Sequence, residues 1–239
     1  FALLNTGLSL FLGGAAMYGG SSFPVTYQMV EQILGSLIIF PLAIITYFTG
    51  VLVWRDQDSR LHEILGATPT PNGVFVCSRF VTMLVIIHSI LLGGIVVGCL
   101  YQLANGYTRL QLDVYFLEMI AITGTRLSFL VVIGFVAHTL ARNKYIGYVL
   151  FIFFLILNRQ TWRWLRWESL LVQFGVLPGH TYSDMFGIAP YTPGLLGFGI
   201  YWSLVAVILL WLCGVSLHRG VARSWWLRLR EGLATVTGR

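Results

Sequence analysis

The residues of this chain that could do chemistry are few and scattered. His62 and Glu63 begin as an H-E-x-x-H zinc motif would, but Gly66 stands where the second histidine belongs, and one imidazole cannot hold a catalytic zinc. We therefore read His62 as a surface residue. His180, Ser183 and Asp184 offer the side chains of a hydrolytic triad, yet a triad draws on separated elements, and residues this close in sequence form a capped turn. The sequence has no G-x-x-x-x-G-K-[ST], no dinucleotide fingerprint and no G-x-S-x-G. Nothing in it is shaped to cradle nucleotide phosphates, and no metal site is expected.

Three ionisable residues are more informative. Glu31, Glu118 and Arg126 fall within or at the edge of long apolar runs, where charge is costly and tends to face a cavity or a partner. They either line a substrate route or, for Glu31 and Glu118, anchor at an interface. On a regular helix the eight residues from Glu118 to Arg126 leave them about 80° out of alignment, so a direct pair is loose. His88 and His138 stand alone in apolar runs and read as interhelical hydrogen-bonders.

The elements that must position these residues are membrane helices. Of the 239 residues 57% are hydrophobic and 10% charged, far from the roughly 25% charged of soluble domains. The mean hydropathy is +0.80. Continuous apolar runs exclude the alternation of a β-barrel. A net charge of +6 would invite nucleic acid in a soluble chain, but topology accounts for it here, and no nucleic acid is expected. Cys77, Cys99 and Cys213 lack CxxC spacing and read as small hydrophobes.

Six spans are expected. The first covers about 1–19, with Gly7, Gly13, Gly14, Ala15 and Ala16 allowing close packing, and the second about 27–54, kinked by Pro41. The third covers about 80–103, and the fourth leads in from about 110 and reaches about 138. A short fifth follows over 145–157, then a sixth over 196–217. Residues 158–196, with Trp162, Arg163, Trp164, Arg166 and Trp167 and then a stretch broken by proline and glycine, read as one or two interfacial helices. The start at Phe1-Ala2-Leu3 suggests a fragment, a processed product or a missing leader. No signal peptide is visible, for want of a basic n-region or an A-x-A-like site.

One polar stretch interrupts this pattern, WRDQDSRLHEILGATPTPNGVFVCSR from Trp54 to Arg79. Charges at Arg55, Asp56, Asp58 and Arg60 cannot continue a span, at roughly 3 kcal/mol each at the bilayer centre. Leu61, Ile64 and Leu65 give a short helix one apolar stripe, and Pro69, Pro71 and Asn72-Gly73 stop it in a turn. The result is a surface helix held between two spans.

The pattern of a span ending Trp54-Arg55-Asp56, a short helix, Thr68-Pro69-Thr70-Pro71 and a basic residue, Arg79, heading the next span resembles the permeases of ABC-2 type exporters. Gln102–Tyr115 (QLANGYTRLQLDVY), Asn143-Lys144-Tyr145-Ile146-Gly147 and His180-Thr181-Tyr182-Ser183-Asp184-Met185 are similar to the subgroup often fused to an M1-family aminopeptidase, in its transporter part. Asp56 and Asp58 depart from the expected Arg-Glu-Arg-rich run, and Arg79 stands where lysine is usual.

The resemblance implies that residues 60–71 form a coupling helix resting on an ATPase, with Arg55, Asp56, Arg60, His62, Glu63, Pro69 and Pro71 at the contact. It implies ATP and magnesium on a separate pair of ATPase chains, no cofactor here, and a second permease copy or homologous half. It places 158–196 as an outer re-entrant or interfacial region between spans five and six.

Ten Lys and Arg, among them Arg142 and Lys144, gather on the coupling-helix side against four, Arg109, Arg159, Arg163 and Arg166, on the other. That side is expected in the cytoplasm of a bacterial-type inner membrane. The expectation is an all-α, six-span ABC-2 transmembrane domain over 1–220 and a basic amphipathic tail or linker over 221–239. Tyr47, Phe48 and Tyr201 would suit an amphipathic or lipid-like cargo. The alternative is a membrane scaffold or assembly subunit, without transport of its own, that docks a partner through 60–71. A weaker rival is an intramembrane hydrolase using His88 or His138.

Overall fold

The computed structural model describes residues 1–13, 24–59, 72–141, 143–164, 169–183 and 185–216. Among them the chain is helical, with no strand beyond one isolated bridge between Ser183 and Gly187. The helices are α1 (Ala2–Gly13), α2 (Thr26–Leu37), α3 (Ile39–Asp58), α4 (Asn72–Ala104), α5 (Leu112–Tyr115), which runs through a π-helical Phe116–Thr123 into α6 (Gly124–Leu140), then α7 (Lys144–Trp164) and α8 (Thr192–Ser216).

Among the described residues four stretches are long and apolar enough to cross a membrane: Ile39–Asp56, Asn72–Ala104, Leu112–Leu140 and Ala189–Ser216. Ala2–Phe11 and Lys144–Asn158 are shorter apolar helices. Large apolar side chains stand exposed along whole helix faces, such as Val81, Val85, Leu92, Val96 and Leu100 on α4 and Leu196, Ile200, Leu204 and Ile208 on α8. Water would penalise so much apolar surface, whereas lipid does not.

Several boundaries differ from expectation, each for a local reason. Pro41 has no N–H to give the carbonyl of Leu37, and its ring crowds that carbonyl, so the helix is interrupted at Ile38 and the proline sits in the first turn of α3. Asn72 and Gly73 begin α4 instead of forming a turn. The fifth apolar run is short, as expected, at Lys144–Asn158, although its helix α7 continues to Trp164. The interfacial helices expected over 158–196 are absent among the described residues: 169–183 and 185–188 are turn and extended chain, followed by one 3-10 turn at Ala189–Tyr191. The amphipathic stretch 60–71 and the tail 221–239 lie outside the described residues.

Two compact units are distinguished, Phe1–Ile44 with Leu84–Ser128 and Thr181–Ile188, and Ile45–Met83 with Phe129–His180 and Ala189–Arg239, the second described as far as Ser216. The first is packed on Leu10, Ile33, Leu37, Ile87, Leu91, Tyr115 and Met119, all fully or almost fully buried. Gly98 permits that closeness, since a β-carbon there would stand 2.6 Å from Ile33 Cδ1 and 2.8 Å from the Tyr115 hydroxyl. Buried Gln102 ties three segments together: its Nε2 donates to the Pro24 carbonyl (2.9 Å), and its Oε1 accepts from the Tyr115 hydroxyl (3.0 Å).

The second unit buries Ile45, Met83, Val131, Val132, Phe135 and Phe151. Within it, residues 169–180 fold back so that Phe174 meets Phe129, Phe154 and Trp202, with ring centroids 6.2, 6.4 and 5.0 Å away. Phe154 and Trp202 lie midway along α7 and α8, so this non-helical segment re-enters to mid-helix depth. Protein meets one of its carbonyls there, as such depth demands: Asn158 Nδ2 donates to the Phe174 carbonyl (3.1 Å).

Candidate functional site

The foot of α3 is where the sequence concentrates charge, and all its described partners lie in the second unit. After Asp58 the helix ends at Ser59, whose N–H and hydroxyl both donate to the Arg55 carbonyl, at 3.0 and 2.7 Å. Arg55 itself points outward, exposed. Asp56 forms an ion pair with Arg79 of α4, and Asp58 accepts from Lys144 Nζ of α7 at 3.0 Å. Arg79 is largely buried, its side chain 10% exposed, whereas Lys144 is open to solvent.

Carboxylates in the last turn of a helix face the negative end of its dipole. Their placement is locally unfavourable, and the cations of α4 and α7 offset it. The hydrogen bond to Asp58 holds the Lys144 ammonium above its ordinary range. Thus the residues that depart from the permease pattern, Asp56, Asp58 and Arg79, are each matched to an opposite charge, two of them to each other.

The remaining residues of Asn143–Gly147 have separable tasks. Asn143 Oδ1 accepts from the Ile146 N–H (2.9 Å), which caps α7. Gly147 makes room for His138, because a β-carbon at 147 would stand 2.1 Å from His138 Nδ1. The imidazole is buried edge-on to Tyr148, 4.8 Å between centroids, and neither ring nitrogen has a hydrogen-bond partner among the described residues. His88 bonds within its own helix, Nδ1 to the Leu84 carbonyl at 2.8 Å. The interhelical role expected of both histidines is therefore not what is found.

Glu118 and Arg126 belong together in the first unit. Glu118 lies in the π-helical turn and Arg126 at the midpoint of the Leu112–Leu140 span, both half-buried. A π-helix advances each residue by only about 80°, against about 100° in an α-helix. The stretch through Thr123 thereby takes up the excess angle and brings Glu118 and Arg126 onto one face. Glu31 lies instead on the exposed face of α2, opposite the buried Met29, Val30, Ile33 and Leu37.

Ser183 sits in a tight turn, its hydroxyl accepting from the Met185 N–H (3.4 Å) and its backbone paired with Gly187. Tyr182 stacks on Tyr27 at 6.3 Å. Arg60, His62, Glu63, Pro69, Pro71 and Asp184 lie outside the described residues. Among the described residues no three His, Cys, Asp or Glu gather as a metal site requires. Cys77 is exposed, not buried as expected. The sequence reading missed Lys144 and Asn143 as structural partners; the available signal was an isolated lysine heading an apolar run, level with the acids ending another.

Fold and site together define a class: among the described residues, an all-helical chain with four helices able to cross a membrane and ion pairs at the helix ends. No family model matches the chain, and neither curated proteins nor solved structures provide a match.

Proposed function

We propose that this chain is a permease subunit of an ATP-driven ABC-2 type exporter, moving an amphipathic or lipid-like substrate out of the cytoplasm by alternating access. The observation that carries the reading is the double tie at the foot of α3. Residues 60–71 leave the chain after Ser59 and rejoin it at Asn72, so a push on them acts on α3 and α4 directly. Asp56 then links α3 to α4, and Asp58 links α3 to α7. Three helices share the load, as a coupling segment requires.

In this reading α1, α2 with α3, α4, α5 with α6, α7 and α8 make six crossings of a bacterial-type inner membrane, and Asp58 and Lys144 face the cytoplasm. ATP and magnesium belong to a pair of ATPase chains below, and a second permease copy or homologous half completes the pathway. Closure of the ATPases would drive 60–71 and open the bundle along the facing first, second and fifth crossings.

The test is the paired reversal Arg60→Glu with Glu63→Arg in nanodiscs carrying the co-purified ATPase. Stability should change by less than about 0.5 kcal/mol, since both residues are expected at the surface. Substrate-stimulated ATP hydrolysis should fall. A variant that binds the ATPase, hydrolyses and transports like wild type would sink the coupling role. An ATPase that docks while nothing is moved would favour the scaffold instead.

A further inference from the structure

Between Ser183 and Gly187 the chain folds into a tight turn closed by its own backbone. The Ser183 N–H donates to the Gly187 carbonyl (3.2 Å), and the Gly187 N–H donates to the Ser183 carbonyl (2.6 Å). Gly187 takes the left-handed conformation, φ 57°, that a residue with a β-carbon resists. Both flanks pin the turn within the first unit: the Tyr182 ring stacks on Tyr27 at 6.3 Å, and Ile188 is buried. What the turn displays is apolar. Met185 is 87% exposed and Phe186 69%, two large side chains side by side where turns favour Gly, Pro, Asn, Asp and Ser.

Contacts within the same unit set the height of this turn against the membrane. The exposed apolar face of α4 runs through Leu92, Val96 and Leu100 to Leu103, and Asn105 and Gly106 follow, so the hydrocarbon ends there. Gln102, at that level, donates from Nε2 to the Pro24 carbonyl and to the Thr26 hydroxyl, at 2.9 and 3.3 Å. Tyr27 is the next residue, and Tyr182 lies against it. The turn therefore starts from the edge of the apolar layer, where tyrosine rings settle. This is the end of α4 remote from residues 60–71, which rejoin the chain at Asn72.

From this we infer that the turn sets Met185 and Phe186 into the headgroup layer of the leaflet remote from residues 60–71, as a shallow lipid anchor. Left in water at that height, both side chains stay hydrated at a hydrophobic cost, whereas the boundary between headgroups and acyl chains takes them out of it. The sequence on either side limits the depth, because Ser183 and Asp184 precede the pair and a carboxylate stays with the headgroups. The anchor needs only helices that cross a membrane and does not depend on export.

The test uses the full chain in nanodiscs, with Cys77→Ala, Cys99→Ala and Cys213→Ala, and a fluorophore attached through Phe186→Cys or, separately, through Met185→Cys. Both positions are exposed, so neither label disturbs the core. Emission should be lost most to lipids carrying a nitroxide just below the headgroup, less to lipids carrying it near the chain end, and least to aqueous iodide. Adding Phe186→Asp to the Met185→Cys protein should make iodide the strongest quencher, since a charge there draws the turn into water.

Iodide quenching without lipid quenching, before Phe186→Asp is added, would place the turn in water. Protection from every quencher would mean that protein covers it, such as a second copy of the chain. Either result overturns the anchor, as does stronger quenching from the chain end or an order that Phe186→Asp leaves unchanged. If the chain without its cysteines fails to fold, benzoylphenylalanine at position 186 of the otherwise native chain replaces the fluorophore. Photo-crosslinks to lipid should then form, and crosslinks to protein alone would overturn the anchor.

Discussion

Lys144 Nζ lies 3.0 Å from Asp58 Oδ2, and each residue stands at the helix end that its charge alone disfavours. Asp58 closes α3 at the negative end of the helix dipole, and Lys144 opens α7 at the positive end. Pairing resolves both conflicts at once. Exchanging the charges, Asp58→Lys with Lys144→Asp, should therefore leave the tie in place while improving each helix locally. The thermal midpoint in detergent should equal or exceed wild type, and each single reversal should lower it. A midpoint unchanged by the single reversals would mean that the tie contributes nothing.

Asp56 and Arg79 should behave differently, because Arg79 is largely buried. Asp56→Ala strands a guanidinium away from water and should cost about 2 kcal/mol of stability. Adding Arg79→Met should recover most of the loss. Denaturation of the three variants in one detergent decides it, and a double variant as unstable as Asp56→Ala would refute the pairing.

Gly147→Ala should overpack the contact with His138, at about 1–3 kcal/mol. His138→Ala in the same chain should relieve it. Thermal unfolding of the single and double variants is the measurement, with non-additivity as the expected outcome.

Asn158→Leu removes the donor to the Phe174 carbonyl inside the re-entrant segment. A stranded carbonyl at that depth costs about 1–3 kcal/mol. Hydrogen exchange should rise over 169–180 and stay level in α4. Unchanged protection at 169–180 would show that the bond does not hold the segment.

Topology is testable with thiols. Cys77, which is exposed, should react with an impermeant reagent only from the cytoplasmic side, and a cysteine replacing Ser183 only from the opposite side. Labelling of both from one side would overturn the orientation drawn from the Lys and Arg count.

Composition and continuous apolar runs by themselves determined that the chain is helical and built for a membrane, because lipid leaves the backbone of an exposed span no partner but its own helix. The centres of the expected third, fourth and sixth spans were legible for the same reason. Pro41 was legible as an interruption, since the missing N–H and the ring clash are properties of one residue.

Only tertiary structure decided what the charges do. Asp58 and Lys144 are 86 positions apart, and their pairing depends on two helix ends arriving at the same place. The alignment of Glu118 with Arg126 was hidden because regular periodicity assumes a constant turn per residue, and a π-helical stretch violates it without a sequence signal. The re-entrant course of 169–180 was hidden too: its apolar side chains, Phe174 among them, suit an interface as well as a core. What selects the core is the fit of Phe174 among Phe129, Phe154 and Trp202 on three other helices, together with the Asn158 amide that satisfies its carbonyl.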